Sequence, residues 1–473
     1  MTARRTLVLA LVVVVLVVIA GAVSYWVLSR SSSPSSPSGP TGVASCPSNP
    51  ANGTSGNWTT YHQNNLRDGV ESSSSIASVT ARWPAPTGLD GEVYAEPLVC
   101  GDSVFVATED DSVYALNATS GAILWHTHLG TPAPSSALAC AGDINPSGIT
   151  GTPVIDIATG TLYTVALLTS GSSVEHMLFG LNVVNGSIRS QVVVDPAGST
   201  PNAEQQRGAL AIANGFVYVV YGGLYGDCGS YHGWVVGAPV NGSHALISYQ
   251  VPTQREGAIW GTAGMAIAPD GDLYVATGNG ASNTVFDHGD SVIELSPELT
   301  ELGYFAPTNW VQLNEDDLDL GSVAPTYLST GDLFQIGKGG VGYLLSGTDL
   351  GGIGGQLYNA SVCGGGAYGG TAHVGLSILV PCTDGLYDVV VAGSSFSVAW
   401  QTAGFDSGSP IVTGNVAWAV NITTSVLMGF NLSNGHVLFS FPLGADDHFI
   451  TPAAAPGALF VAGGADLYAF TLS

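Results

Sequence analysis

Three carboxylates crowd one short stretch of this chain, Asp316, Asp317 and Asp319, and a second polar group precedes it as Asp287-His288-Gly289-Asp290. Clustered carboxylate oxygens are what a hard cation such as Ca²⁺ selects. Neither stretch has calcium-loop spacing, so the first reads as a solvated turn before a strand and the second as a loop that satisfies itself. Lys338, in Gly337-Lys338-Gly339-Gly340-Val341, is the only lysine in the chain, and its ordinary role is to pair with a carboxylate. The remaining histidines read as scattered, without ligand spacing. No Cys-x-x-Cys-His stands ready for covalent haem. The glycines of Gly351-Gly-Ile-Gly-Gly are not followed by a helical pattern, so they are turns and not a phosphate cradle. No Ser–His–Asp arrangement is legible. The expectation is that the chain has no catalytic centre of its own and no metal site.

Six cysteines in an exported chain read as disulfides. Cys100 with Cys140 and Cys363 with Cys382 are the nearest pairs, which leaves Cys46 and Cys228 by elimination. Buried free thiols are the alternative.

The elements that position these residues repeat. A small-residue strand near Gly and Pro recurs as Tyr94-Ala-Glu-Pro-Leu-Val, Gly151-Thr-Pro-Val-Ile-Asp, Gly208-Ala-Leu-Ala-Ile, Gly264-Met-Ala-Ile, Ser322-Val-Ala-Pro-Thr, Gly370-Thr-Ala-His-Val, Gly408-Ser-Pro-Ile-Val and Ile450-Thr-Pro-Ala-Ala. Each precedes an aromatic and β-branched strand such as Ser103-Val-Phe-Val-Ala or Phe216-Val-Tyr-Val-Val. A third strand, as in Val113-Tyr-Ala-Leu or Leu427-Met-Gly-Phe, often leads into a Ser-Gly or Asn-Gly turn of the kind that closes a hairpin. Short strands in sets without helical periodicity mean small sheets repeated around an axis, because one such sheet cannot bury both faces alone. The expected fold is all-β, an eight-bladed β-propeller of four-stranded antiparallel sheets around an empty axis, at roughly 50 residues per blade. The eighth set lacks a fourth strand, and an orphan strand stands at Val79-Thr-Ala-Arg-Trp-Pro-Ala-Pro. That orphan is expected to complete the last blade, which otherwise presents an open edge.

Only 9% of residues are charged, with 9 Lys plus Arg against 35 Asp plus Glu, for a net charge of −26. Without a basic cluster, nucleic-acid binding is excluded and docking on anionic lipid is disfavoured. A thinly charged acidic surface suits an acidic exterior, where protonated carboxylates leave few charges to repel one another. Residues 7–28 form an apolar run preceded by Arg4 and Arg5. At 1.5 Å per residue it spans roughly 33 Å, enough to cross a bilayer core. The arginines predict residues 1–6 in the cytoplasm and the rest outside, in a single-pass cell-membrane protein. A cleaved signal peptide ending at Ala20-Gly21-Ala22, giving a secreted protein, is the rival reading. Residues 29–57, rich in Ser, Pro and Gly, read as a flexible tether to a propeller over residues 58–473.

The repeats resemble those of the pyrroloquinoline-quinone-type propeller family. The resemblance rests on Trp58-Thr-Thr-Tyr-His-Gln-Asn-Asn-Leu-Arg-Asp-Gly, Val113-Tyr-Ala-Leu-Asn-Ala-Thr-Ser-Gly-Ala-Ile-Leu-Trp, Gly148-Ile-Thr-Gly-Thr-Pro-Val-Ile-Asp and Asp317-Leu-Asp-Leu-Gly-Ser. It implies one of two activities. Some members are dehydrogenases that hold the quinone (PQQ) and Ca²⁺ at the propeller centre. Others, similar to the lipoproteins of outer-membrane assembly, bind no quinone and act as docking scaffolds. In the dehydrogenases a carboxylate and an amide hold calcium, an Asp serves as base, and two adjacent cysteines usually form a disulfide beside the quinone. Lys338 stands where they carry a basic residue toward the quinone, so it is the cofactor-binding candidate. No two cysteines here are adjacent. The expectation is therefore a membrane-anchored scaffolding or binding propeller for a protein or cell-surface glycan, with no cofactor. The alternative is a quinone- and calcium-dependent alcohol or sugar dehydrogenase. Trp234, Trp260 and Trp310 are the aromatics that could stack on sugars.

Overall fold

Each repeat folds as a meander of hairpins whose first strand lies nearest the axis, so the small residues of that strand decide how closely eight sheets can converge. The computed structural model describes residues 43–46, 56–72, 75–171, 173–445 and 448–473. The apolar run at 7–28 lies outside the described residues. Among the described residues no helix is long and apolar enough to cross a membrane.

Eight antiparallel sheets are built as the repeat predicts. The first blade is Leu98–Cys100, Ser103–Thr108, Ser112–Asn117 and Ile123–His128, paired in sequence order. The following blades begin at Val154–Asp156, Ala211–Ala213, Ala266–Ile267, Thr326–Tyr327, Ala372–Val374, Ile411–Thr413 and Ala453–Ala455. The eighth blade is completed by Val79–Ala81, antiparallel to Asp466–Leu472 with Val79 opposite Leu472 and Ala81 opposite Phe470. Thr87–Gly88 extends the pairing opposite Leu467 and Asp466. The predicted closure is thus realised, and the edge of the last blade is paired.

Blades are locked to one another by tryptophan. Trp83, Trp125 and Trp400 sit on outer strands or just beyond them, and each donates its indole N–H to a carbonyl of the next blade: Ala118 at 3.2 Å, Val183 at 2.9 Å and Leu432 at 3.0 Å. Under each indole lies a turn glycine, Gly121, Gly186 or Gly435, all with φ near +70°. A Cβ on Gly121 would stand 2.8 Å from the Trp83 ring, so the turn needs glycine both for its left-handed backbone and for the ring above it. The Asn-x-x-x-Gly turn is therefore the seat for an indole from the preceding blade.

The axis is not empty. Residues 58–71 coil across it, with His62, Gln63 and Arg67 at positive φ. Trp58 exchanges two backbone hydrogen bonds with Val99 of the first blade, 2.7 and 2.8 Å. Ile155 of the second donates to the Thr59 carbonyl at 2.8 Å. Arg67 donates to the carbonyls of Leu210 in the third blade and Met265 in the fourth, at 3.1 and 3.0 Å. Tyr61 packs on Ala209, Ala263 and Ala324, the last in the fifth. His62 Nδ1 lies 2.8 Å from the Thr371 carbonyl of the sixth. Val412 of the seventh donates to the Gly69 carbonyl at 2.8 Å, and Tyr61 Oη meets Thr451 Oγ1 of the eighth at 3.2 Å. The segment touches all eight blades and seals the tunnel, because alanines and glycines on the innermost strands leave room there that one tyrosine and one arginine fill.

The disulfides are Cys46–Cys100, Cys140–Cys228 and Cys363–Cys382. The expected pairing of Cys100 with Cys140 is corrected. Within the stretch expected to be a tether, Ala44 donates to the Val184 carbonyl and Ser45 to Ser103 Oγ, which lays Cys46 beside Cys100 at the end of the first hairpin. Cys140, in the loop between the first two blades, instead reaches Cys228 in the third.

Candidate functional site

Just before the point where Tyr61 blocks the axis, the ring opens into a cavity of about 910 Å³. Its lining residues lie where innermost strands begin and second strands end: Arg207 and Trp260 a few positions before Ala209 and Ala263, Asp319 before Ala324, Phe449 before Thr451. The cavity is therefore built from the loops at that end of the innermost strands.

One wall brings together residues that the sequence scattered over three repeats. Lys338 Nζ pairs with Asp319 Oδ2 at 2.7 Å and with Asp317 Oδ1 at 3.0 Å. The Asn279 backbone N–H donates to Asp319 Oδ1 at 2.9 Å, and its side-chain amide donates to Asp317 Oδ1 at 3.0 Å. The ammonium also stands 5.4 Å over the Trp260 ring. Burial by itself lowers the lysine pKa, but the charge and hydrogen bond of Asp319, with Asp317 added, outweigh it and raise the pKa, so Lys338 is held charged. The expected solvated turn is only half right. Asp317 is exposed, whereas Asp319 is buried behind the lysine. Asn279 Oδ1 is buried with no partner and is the free acceptor of this wall.

The opposite wall carries Arg207, whose guanidinium lies 5.1 Å over the Phe449 ring and 3.4 Å from Asp143 Oδ1, with His448 Nε2 3.0 Å from Asp143 Oδ2. Burial raises the Asp143 pKa, but the His448 hydrogen bond and the Arg207 charge outweigh it and hold the carboxyl down at about 2. Between the walls Trp260, Tyr368 and Phe449 form a triangle of rings with centroids 6.0 to 6.2 Å apart. Asp406 adds a carboxyl that burial pushes up to about 6. Of the three tryptophans read as sugar-stacking candidates, only Trp260 lines the cavity. Trp234 is buried and donates to Glu204 Oε1 at 3.1 Å, and Trp310 opens a short helix, Trp310–Glu315, against Phe286. Arg207, Asn279, His448 and Phe449 were not singled out from the sequence. Each is one ordinary residue in a loop, and only the convergence of the blades makes them neighbours.

Residues 80–232 match the family model described as outer membrane protein assembly factor BamB. No curated protein matches the chain by sequence. Among solved structures, a quinohemoprotein alcohol dehydrogenase of Pseudomonas putida HK5 is similar at 14% identity with a TM-score of 0.69, over 91% of this chain and 83% of that one. A europium-containing methanol dehydrogenase is similar at 14% identity and a TM-score of 0.66, over 89% and 99%. BamB of Moraxella catarrhalis is similar at 14% identity and a TM-score of 0.54, over 84% and 98%. At such identity the likeness is one of fold.

The donor set decides how far a quinone and calcium fit. Asn279 Oδ1 and Asp319 supply an amide and a carboxylate, but both Asp319 oxygens are already used, one by Lys338 and one by the Asn279 amide. Among the described residues, no three His, Cys, Asp or Glu side chains of the cavity converge at metal-ligand distances. A divalent cation on Asp319 would stand against the ammonium of Lys338, so the cavity as built does not fit calcium. By the match of residues 80–232 and by the shape of all eight blades, this chain is similar to the pyrroloquinoline-quinone-type propellers, a fold held in common by assembly factors and dehydrogenases.

Proposed function

We propose that this chain is a binding propeller, anchored by residues 7–28 and held outside the membrane, whose axial cavity takes a glycan. The observation that carries the reading is the meeting of three ring faces, Trp260, Tyr368 and Phe449, with hydrogen-bonding groups on both sides: Asp317, Asp319, Asn279 and Lys338 on one, Arg207, Asp143 and His448 on the other. A sugar ring presents C–H faces that stack on aromatics and an equator of hydroxyls that pair with carboxylates, amides and cations. The volume lies in the usual range for small-molecule sites. The charged groups are already oriented by one another, which lowers the cost of ordering on binding.

Titration with neutral trisaccharides, followed by intrinsic tryptophan fluorescence, tests this. A saturable change is expected, abolished in Trp260→Ala and weakened at least tenfold, about 1.4 kcal/mol, in Asp319→Asn. A flat response across the set, or equal binding by Trp260→Ala, overturns it.

The second reading, a quinone-dependent dehydrogenase, is favoured by Trp260, Asn279, Asp319 and Lys338 sharing one cavity in this fold. Incubation with the quinone and calcium followed by dye-linked alcohol or sugar oxidation separates the two. Turnover that is lost in Asp319→Asn would replace the glycan reading.

A further inference from the structure

The seam where the ring closes carries a cluster outside the cavity. After pairing with the eighth blade, the chain runs from Leu89, whose N–H donates to the Ala465 carbonyl at 2.8 Å, to Val93, whose N–H donates to the Gly464 carbonyl at 3.1 Å. Between them Asp90 turns toward the first blade, where Thr108 Oγ1 donates to its Oδ1 at 2.9 Å and Ser112 Oγ donates to its Oδ2 at 2.6 Å. The same Ser112 hydroxyl lies 3.0 Å from His126 Nε2 and 3.1 Å from His128 Nδ1. His126 and His128 are two apart on one strand, so both rings rise from the same face of the first blade. The His126 ring is stacked on Tyr114 with centroids 4.3 Å apart, and its Nε2 is 3.4 Å from Asp90 Oδ2. Asp110, in the turn between Ser103–Thr108 and Ser112–Asn117, completes the group. One ligand atom each from Asp90, Asp110 and His128 lie within 4.8 Å of one another. Asp90, Asp110 and His128 thus converge, with His126 Nε2 beside Asp90 Oδ2, while the Ser112 hydroxyl lies among Asp90 and the two imidazoles and Thr108 holds the other Asp90 oxygen.

We propose that Asp90, Asp110, His126 and His128 bind one borderline divalent metal ion of the zinc class, clamping the segment that closes the eighth blade to the first. Imidazole nitrogen with carboxylate oxygen is a set that Zn²⁺, Co²⁺ and Ni²⁺ accept in near-tetrahedral geometry, and calcium, which wants oxygen alone, does not. The hydrogen bonds from Thr108 and Ser112 supply the outer support that such ligands usually have. The side chains are partly exposed, 37% for His126 and 27% for Asp90, so an ion reaches them without opening the fold. The metal is structural: it joins the Asp90 loop, a hairpin turn and an outer strand, all within the seam that ring opening must break.

The test uses the full chain without a polyhistidine tag. Cobalt chloride is titrated while the visible d–d absorption is followed, and zinc chloride is titrated by calorimetry. About one equivalent is expected, with the thermal midpoint rising as zinc is added. In the His126→Ala/His128→Ala variant, binding should weaken at least tenfold and the zinc-dependent rise should vanish. Asp110→Asn, at a half-buried turn position, provides an independent variant with the same expected loss. No saturable cobalt spectrum, or zinc binding equal to that of the original chain in both variants, overturns the site.

Discussion

Arg67 shows what a single buried charge does here. Its guanidinium is 2% exposed and donates to the carbonyls of Tyr61, Leu210 and Met265 and to the hydroxyl of Thr60. Burial pulls its pKa down to about 10, with Glu96 and Tyr61 opposing the fall, so it stays charged at neutral pH. Glu96 in turn accepts from the Trp58 indole at 3.0 Å and the His62 backbone at 2.8 Å. The plug is thus a folded turn held by these side chains. Replacing Arg67 by Leu strands acceptors on two blades and leaves Glu96 without its nearby cation. The expected cost is about 3–5 kcal/mol, read as a lower urea midpoint. A midpoint like that of the original chain would mean that the plug does not bear on stability.

At the scale of the element, the closing strand and the tryptophan contacts carry the same load at different places. Val79–Ala81 offers only three residues of pairing to the last blade, too little to hold a seam alone. Trp83, just beyond it, adds a buried indole over Gly121 and a hydrogen bond to Ala118 of the first blade. Trp83→Ala removes both and leaves a hole at the seam. Its expected cost is about 3–5 kcal/mol, with an unchanged denaturant slope if the ring still melts as one unit. A loss below ~1 kcal/mol would show that the strand pairing and the Cys46–Cys100 bond suffice.

For the whole molecule the charge pattern becomes a pH dependence. Burial raises Glu96 well above its ordinary value, and burial together with the Asp319 charge pushes Asp290 up to about 8. Both carboxyls thus keep their proton to a higher pH in the fold than in the unfolded chain, where they ionise near pH 4. Their contribution is fully present below that value and is lost as pH rises through the folded one. His62 works the other way. Burial lowers it to about 3, so its contribution is present above pH ~6.5 and is lost as pH falls toward 3. Between pH 8 and 6.5 the raised carboxyls act without opposition from His62, so the melting temperature is expected to rise on acidification from pH 8 to about 6.5. Asp290→Asn should flatten part of that rise. A melting temperature that falls steadily below pH 8 would contradict the sign. A fold that gains stability in mild acid accords with the acidic exterior suggested by the thinly charged composition.

Much of this was legible in the chain itself. The second strands, the hairpin turns, the count of eight and the orphan strand that closes the ring all follow from local alternation and turn chemistry, which are written within a few residues of one another. The site was not. Lys338 stood out as the sole lysine and through the family resemblance, but nothing near it in sequence names Asn279 or Arg207 as a neighbour. The histidines looked scattered until one face of one strand placed His126 and His128 beside Asp90, and Cys46 was assigned to the wrong partner. The reason is geometric. Short-range pattern fixes which residues are strands, but which loops meet at the axis or the seam depends on how eight sheets close, and only the closed ring sets those distances.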